Sequence, residues 1–243
     1  MTGLKDLFTH LITSFWLRPG TVRRVPFGAQ RGLRFELRGP LEKRVSIFYK
    51  TYEKAVSEWL DHHVQPGMTV YVVGAHVGVH VLGIAKRLGD DGHVVAFEGW
   101  PENFTYLKRN IAINPQLDAT IEPVAACVTA ESGTIQMAQG AADGKHHIAN
   151  DAKEEHASGS IEVPAVSLDD YYAENGNPPA LILVDVEGHE ADVLRGATHL
   201  IAEQKPMLIL EHHGKADTLR KKLKALGYSL TRSPRHLYAT PMS

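Results

Sequence analysis

The sequence predicts an α/β fold built on one doubly wound, mostly parallel sheet. Three observations predict it: apolar runs typical of strands buried on both faces, helical periodicity between these runs, and a glycine-bearing turn after the first of them. The runs include VYVV at 70–73, VVAF at 94–97 and LILV at 181–184. Strands that are buried on both faces indicate a parallel sheet covered by helices. A chain of 243 residues suits a single core of this kind.

The first 65 residues are predicted to form a helical and strand extension that packs on the main domain, residues 66–243. Apolar positions at helical spacing over residues 4–16 predict an amphipathic helix, which ends before Pro19. Its apolar face suits the core, a membrane interface or a second subunit, so a homodimer is compatible with the sequence. The extension also contains a predicted strand and a second predicted helix, at residues 33–39 and roughly 50–63.

From residue 66 onward, strands and helices alternate. Seven apolar runs predict the strands of the sheet: TVYVVGA, HVVAFE, ATIEPVAA, ALILVDV, PMLILEH, YSLTR and HLYAT. Helices are predicted from about Gly78 to Leu88, from Pro101, over LDDYYAEN, from about Glu190 to Glu203, and up to Gly227. The segments GTIQMA and SIEVPAV predict a β-hairpin insertion, and the stretch between them, residues 140–160, is polar and glycine-rich, which is typical of a long loop.

Composition and charge limit the partners and the compartment. Residues 1–50 contain ten Lys/Arg and three Asp/Glu, although the whole chain has a net charge of −2. This excess favours either a peripheral membrane or other anionic contact, or docking on the acidic remainder of the same chain. Nucleic acid is disfavoured as a partner, because the pI is near 6.7 and no basic aromatic groove is evident. One cysteine, no secretory signal pattern and no apolar run of about 18 residues together predict a cytoplasmic protein.

The turn GAHVG, Gly74 to Gly78, follows the first strand of the sheet. Ligands of open α/β sheets bind beyond such strand ends, where Gly74 permits a tight turn and Gly78 a close approach of the helix N-terminus. Glu98 lies twenty-four residues after Gly74, at the end of the next strand, where a carboxylate accepts hydrogen bonds from an adenosine ribose. His76 occupies the middle glycine position of a dinucleotide fingerprint and would obstruct a pyrophosphate. S-adenosylmethionine is therefore favoured over NAD, and a nicotinamide-dependent oxidoreductase is the disfavoured alternative.

Three segments resemble the FkbM-type methyltransferase family: residues 70–114, VPAVSLDDY at 163–171, and LILVDVEGHEADVLRGA at 181–197. The resemblance covers roughly residues 48–213. It implies a class I methyltransferase (Rossmann-like) fold with a seven-stranded sheet, and an S-adenosylmethionine-dependent enzyme that methylates a hydroxyl of a sugar, glycan, lipid-linked or polyketide-like acceptor. The cofactor-binding positions that it implies are Gly74, Ala75, His76, Gly78, Glu98 and Asn103.

The chain departs from the family pattern at two positions near the turn. Val72 stands where the family usually has an Asp that supports the methionine end of the cofactor, and His76 stands where Asn is common. The loss of one such hydrogen bond costs about 1–2 kcal/mol of binding free energy. A weakened cofactor site is one interpretation, and a methyltransferase-like binding module that has lost catalysis is the alternative.

Carboxylates and imidazoles follow the fourth and fifth strands of the predicted sheet. These strand ends adjoin in the class I strand order, so we expect four groups to converge on the acceptor: Asp185, Glu187, His189 and Glu211. His189 is the predicted general base, because an unperturbed imidazole titrates near neutral pH. The alternative is that His189 caps the next helix and Glu187 only favours its positive N-terminus. A divalent metal held by these groups is disfavoured, because no tight spacing such as H-E-x-x-H is present.

Overall fold

The computed structural model describes residues 16–28, 30–39, 41–48, 53–139, 146–148, 160–214 and 216–242. The predicted amphipathic helix over residues 4–16 lies outside these ranges except for Trp16, and most of the predicted loop over residues 140–160 lies outside them too. Among the described residues, no helix combines the length and apolar character needed to cross a membrane.

Strands and helices alternate through most of the described chain. The strands are β1 (Val22–Arg24), β2 (Arg34–Glu36), β3 (Thr69–Val73), β4 (His93–Phe97), β5 (Ile121–Val124), β6 (Cys127–Val128), β7 (Gly133–Gln139), β8 (His146–Ile148), β9 (Ile161–Val166), β10 (Leu181–Val184), β11 (Met207–Glu211), β12 (Tyr228–Arg232) and β13 (His236–Pro241). The helices are α1 (Leu41–Phe48), α2 (Lys54–His63), α3 (Val79–Leu88), α4 (Pro101–Ala112), α5 (Leu168–Asn175), α6 (Glu190–Arg195), α7 (Thr198–Gln204) and α8 (Ala216–Ala225), with a 3₁₀ helix at Pro115–Thr120.

The central sheet has seven strands in the order β12-β13-β11-β10-β3-β4-β5. Its pairs β11–β10, β10–β3, β3–β4 and β4–β5 are parallel, whereas β13 pairs antiparallel with both β11 and β12. The chain runs outward from β3 to β5 on one side, then crosses to β10 on the other side. The predicted doubly wound, mostly parallel seven-stranded sheet is therefore confirmed, and the order reverses between β3 and β10, where ligands of open α/β sheets bind.

Burial on both faces explains why the strands are continuous apolar runs. In β3, Val70 and Val72 face a core cluster that includes the buried residues of α3, whereas Tyr71 and Val73 face a second cluster with α6 and α7. All four side chains are buried. A parallel sheet covered by helices on both faces requires this pattern, because neither face meets water.

Two asparagines attach the N-terminal strands to the main domain. Asn110 Oδ1 accepts the backbone N–H of Glu36 at 2.8 Å, and its Nδ2 donates to the carbonyl of Val77 at 2.8 Å. Asn114 binds both backbone groups of Arg34 in β2. Oδ1 of Asn114 accepts the N–H of Arg34 at 2.9 Å, and Nδ2 donates to the carbonyl of Arg34 at 2.8 Å. Both asparagines are buried, so α4 and the turn after it hold the edge of β2 through side-chain groups that make the hydrogen bonds of a neighbouring strand.

A second, four-stranded sheet has the order β6-β9-β7-β8. Its main pair is β7 with β9, which are antiparallel from Gly133 opposite Ala165 to Met137 opposite Ile161. These are the strands of the predicted hairpin insertion. The small strand β6 adds to β9 in parallel and leads the chain from the central sheet into this second sheet.

The single helix predicted over residues 190–203 is wrong, because the chain forms two helices there, α6 and α7. Gly196 lies against the backbone of Thr129, where an added Cβ would be 2.1 Å from the carbonyl oxygen. The carboxylate of Asp169 then accepts the N–H groups of His199 at 3.0 Å and Leu200 at 2.8 Å. These bonds satisfy the first turn of α7 and start it as a separate helix, a long-range effect that helical periodicity does not detect.

Candidate active site at the ends of the central strands

The glycine loop, Gly74 to Gly78, lies between the ends of β4 and β10. The N–H groups of Gly74 and Ala75 both donate to the carbonyl of Phe97, at 3.0 and 2.9 Å. Gly74 has a φ of 84°, and a Cβ at this position would lie 1.8 Å from the carbonyl oxygen of Asp185. Only glycine meets both constraints, because it accepts the left-handed conformation and leaves space for the neighbouring strand.

Glu98 is buried at the end of β4, and its carboxylate binds the glycine loop. Oε2 accepts the backbone N–H of His76 at 2.7 Å. Oε1 accepts the backbone N–H of Trp100 at 2.9 Å and a longer bond from Nδ2 of Asn103 at 3.5 Å. Burial raises the pKa of Glu98, and these hydrogen bonds oppose the rise without cancelling it. The carboxylate is thus directed into the space beside the loop rather than toward bulk solvent.

The hydrogen bonds of Glu98 leave space for an adenosine ribose. A carboxylate has about four lone-pair positions, and the three described bonds occupy three of them. One position remains for a ribose hydroxyl, and the 3.5 Å bond from Asn103 is the weakest of the three and the easiest to replace. The residues at this strand end therefore fit the nucleoside part of S-adenosylmethionine.

Helix packing explains the glycine at position 78, and this packing was not predicted from the sequence. Gly78 is the N-cap residue of α3 in a left-handed conformation, and a Cβ there would be 2.8 Å from Cδ1 of Leu107. Its missing side chain thus permits close packing of α3 on α4.

His76 has a φ of 49° and a half-buried side chain, so the loop holds a non-glycine residue in a left-handed conformation at its centre.

Carboxylates and one imidazole form a strand-end cluster beyond β10 and β11, defined here by five residues: Asp185, Glu187, Glu190, Glu211 and His213. Nδ1 of His213 is 2.9 Å from Oε1 of Glu190. Nε2 of His213 is 3.2 Å from Oε2 of Glu187 and 3.6 Å from Oε2 of Glu211. The side chain of Glu190 is fully buried, so the cluster extends from the surface of the cleft into the core.

Burial, hydrogen bonds and neighbouring charges shift the pKa values of the two acids in the cluster in opposite directions. Burial, the hydrogen bond with Glu211 and its charge raise the pKa of Asp185 well above its ordinary value. Burial also acts to raise the pKa of Glu211, but the hydrogen bond with Asp185 and the pairing with Arg235 lower it overall. The two acids therefore titrate as a coupled pair, in which Asp185 is protonated more readily than Glu211. Hydrogen bonds to Glu187 and Glu190 raise the pKa of His213 to about 10, so its ring is cationic at neutral pH.

The structure brings together three of the four predicted acceptor-side residues, Asp185, Glu187 and Glu211, and adds His213. His213 was not among the four predicted groups, whose only imidazole was His189. His189 is the N-cap residue of α6, and its side chain accepts no capping hydrogen bond from the described backbone. His189 thus occupies the N-cap position without a side-chain capping bond, and its role as a base stays a prediction. The signal for His213 was its position directly after a strand that ends in Glu211.

A second group of titratable residues joins the extension to the same strand ends. Glu53, directly before α2, has its Oε2 atom 2.6 Å from Nε2 of His80 and 3.8 Å from Nε2 of His236. Burial acts to raise the pKa of Glu53, but the hydrogen bond and charge of His80, with the charges of His236 and Arg235, lower it to about 2. No sequence pattern indicates this contact, because its members come from three distant segments.

Comparisons with known proteins found a matching family and a curated relative. The model of the methyltransferase FkbM domain matches residues 73–230. A curated relative, the hexuronic acid methyltransferase AglP of Haloferax volcanii, is 27% identical over 165 residues, which are 67% of this chain and 63% of the relative. This chain thus matches less than two thirds of that protein's length.

Two solved structures show the same fold. The crystal structure of methyltransferase FkbM from Methylobacillus flagellatus KT has a TM-score of 0.53 and 15% sequence identity, and the match covers 82% of this chain and 54% of that one. The Escherichia coli protein yhhF has a TM-score of 0.51 and 14% identity, and the match covers 92% of this chain and 100% of that one.

Proposed function

Because the chain belongs to the methyltransferase FkbM domain family, we propose that it transfers a methyl group from S-adenosylmethionine to an oxygen of a sugar or glycan. The observation that carries the proposal is the carboxylate of Glu98, which the N–H of His76 holds beside the glycine loop at 2.7 Å. A carboxylate in this position distinguishes a nucleoside site from a turn that is glycine-rich for packing alone.

The cofactor supplies a methyl group that its positively charged sulfur has already activated. The residues proposed to hold it are Gly74, Ala75, His76, Gly78, Glu98 and Asn103. Glu98 would bind the ribose hydroxyls, and the loop backbone would lie along the rest of the molecule. Val72 offers no hydrogen bond where the family usually has an Asp, so we expect affinity about tenfold or somewhat more below that of a site with the acid.

On the acceptor side, the protein must align one oxygen with the methyl group and receive its proton. The strand-end cluster is proposed to align the oxygen. At neutral pH, His213 is cationic and would place its positive charge beside the acceptor oxygen. Asp185, whose pKa is raised, is the more readily protonated acid of its pair with Glu211. Glu211, with its lowered pKa, stays ionised and accepts hydrogen bonds from acceptor hydroxyls. His189 is proposed as the group that receives the proton.

A sugar is favoured as the acceptor for two reasons. The curated relative is a hexuronic acid methyltransferase, although its identity to this chain is only 27%. The strand-end cluster is also polar throughout, which suits an acceptor with several hydroxyls better than an apolar polyketide. The N-terminal extension, residues 1–65, is proposed to contribute to this side of the site through Glu53, which lies beside His236 and His80.

Calorimetric titration with S-adenosylhomocysteine and, separately, with NAD tests the cofactor assignment. Uptake of S-adenosylhomocysteine alone supports methyl transfer, uptake of NAD alone indicates an oxidoreductase, and uptake of neither indicates a binding module. The acceptor is then tested by measuring S-adenosylhomocysteine released from S-adenosylmethionine with hexuronic acids, neutral hexoses or no acceptor. Release with both sugar classes at the no-acceptor rate would contradict the sugar assignment.

A test of the proposed base uses His189→Ala, with the exposed His199→Ala as the matched control. Turnover on the sugar is expected to fall about 10²–10⁴-fold in the first variant, the usual contribution of a general base. Equal turnover of His189→Ala and the wild type would remove His189 from the chemistry.

A further inference from the structure

We propose that the strand-end cluster binds one divalent metal ion through Asp185, Glu187 and Nε2 of His213. The ligand atoms of these three residues all lie within 4.8 Å of one another. They come from loops that follow two adjacent parallel strands, β10 and β11, so the sheet fixes the distance between them. A metal was disfavoured from the sequence because no close spacing such as H-E-x-x-H is present. The ligands proposed here lie on two separate loops, so their spacing in the sequence does not reveal them.

Nδ1 of His213 makes a hydrogen bond of the kind that metal-binding histidines make with their other ring nitrogen. Nδ1 lies 2.9 Å from Oε1 of Glu190, whose side chain is fully buried. A histidine that binds a metal almost always donates its other ring N–H to a carboxylate or carbonyl, which fixes the ring and directs the free nitrogen at the ion. Here Nε2 is the nitrogen directed at the other proposed ligands, 3.2 Å from Glu187.

An unsatisfied buried oxygen lies behind the same imidazole. Oε2 of Glu190 is buried and has no hydrogen-bond partner among the residues that the structure describes. An anionic atom without a partner in the core is costly unless positive charge lies close by. To bind an ion, His213 must release its Nε2 proton and Asp185 any proton it holds, because ligands of a metal are deprotonated. The cluster then has four carboxylates against the one cation of Arg235, and a divalent ion would supply the missing positive charge.

The donor set indicates which ion the site prefers. Two carboxylates and one imidazole favour a hard to borderline cation, and the cluster contains no thiolate that would select a soft one. We therefore expect Mn²⁺ as the best probe, with Mg²⁺ weaker because of the nitrogen ligand. If the protein methylates a hexuronic acid, which rests on the proposed function, this ion would also bridge the acidic sugar to the carboxylates and lower the pKa of its hydroxyl.

The proposal is tested by titrating EDTA-treated protein with MnCl₂ and measuring free Mn²⁺ by electron paramagnetic resonance. The wild type is expected to take up one Mn²⁺ per chain at saturation. Glu187→Gln and His213→Ala each remove a ligand and are expected to weaken uptake by at least tenfold, and Glu190→Gln, which acts through His213, by about 10–100-fold. Asp217→Asn removes an exposed carboxylate of α8 and is the control expected to bind as the wild type does.

Two outcomes would overturn the proposal: no saturable uptake by the wild type, or equal uptake by the wild type, Glu187→Gln and His213→Ala. Circular dichroism and thermal unfolding confirm that each variant is folded, and the half-exposed Glu187 keeps the test valid if His213→Ala fails to fold. The titration contains neither cofactor nor acceptor, so its result does not depend on methyl transfer. Titration of the metal-free protein with S-adenosylhomocysteine tests the proposed function separately.

Discussion

The backbone N–H of His76 donates to Oε2 of Glu98 across 2.7 Å, and this bond joins the glycine loop to the end of β4. The same carboxylate accepts the N–H of Trp100 at the start of α4. Glu98 therefore has two functions in one position: it fixes the shape of the loop, and it leaves one acceptor position for a ribose. Experiments on this residue must separate loss of the fold from loss of the ligand.

Glu98→Gln is expected to weaken S-adenosylhomocysteine binding. The amide oxygen accepts one of the two backbone N–H groups, the NH₂ group faces the other, and the charge and the remaining acceptor position are lost, so thermal unfolding must accompany the titration. Hydrogen bonds to charged groups contribute about 1.5–3 kcal/mol, so calorimetry should show a 10–100-fold lower affinity. Glu102→Gln, an exposed acid in the first turn of α4, is the matched control. Unchanged affinity in Glu98→Gln would show that the nucleoside binds elsewhere.

Gly74→Ala is expected to disrupt the loop, because its Cβ would lie 1.8 Å from the carbonyl oxygen of Asp185. Gly227→Ala is the control, since Gly227 has a similar φ of 81° and no described atom lies within 4 Å of its Cβ position. The difference between the two variants isolates the clash from the strain of a left-handed alanine. We expect Gly74→Ala to unfold at least about 2 kcal/mol more easily than the control in urea. Equal losses would mean that the strand can move aside.

The sequence predicted the sheet because each strand is buried on both faces, and such strands are continuous apolar runs. Val70 to Val73 illustrate this, since alternate residues enter two different cores and all four are apolar. The break between α6 and α7 was not predictable in this way. It depends on the carboxylate of Asp169, which lies thirty or so residues earlier and has no local signal.

The candidate site was predicted where its residues directly follow strands. Asp185, Glu187 and Glu211 were found because parallel strand ends meet at one edge of a sheet. His213 was not predicted, because the sequence does not show which loop directs an imidazole toward the carboxylates. Glu53 was missed altogether, since its contact with His80 requires the extension to fold back on α3.

Asn114→Ala is expected to weaken attachment of the N-terminal strands. The change leaves the N–H and carbonyl of Arg34 without the side-chain partners that they have at 2.9 and 2.8 Å. Each unsatisfied group in a partly buried position costs about 1–3 kcal/mol of the free energy of unfolding. Urea unfolding measures the loss, with the exposed Gln116→Ala in the next turn as control. Equal stability of the two variants would show that the strands contribute nothing to the folded domain.

Glu53 is expected to make stability depend on pH in the acid range. Its pKa lies at about 2 in the folded protein, below the ordinary value of 4.5, because the imidazole of His80 and neighbouring cations outweigh the effect of burial. A carboxyl group whose pKa is lowered by folding stabilises the protein fully above its unfolded pKa. This contribution is lost as the pH falls from about 4.5 toward 2.

The measurement compares urea unfolding of the wild type and Glu53→Gln at several pH values from neutral to about 3, since protons bind the unfolded carboxylate first. At neutral pH the wild type should be more stable by about 1–3 kcal/mol, the order that such a shift in pKa implies for a mostly buried side chain. The difference should shrink as the pH falls. Glu58→Gln, an exposed acid on the same helix, should change stability by less than about 0.5 kcal/mol at every pH. A wild-type advantage that persists unchanged at about pH 3 would show that Glu53 stabilises the fold by packing rather than by its charge.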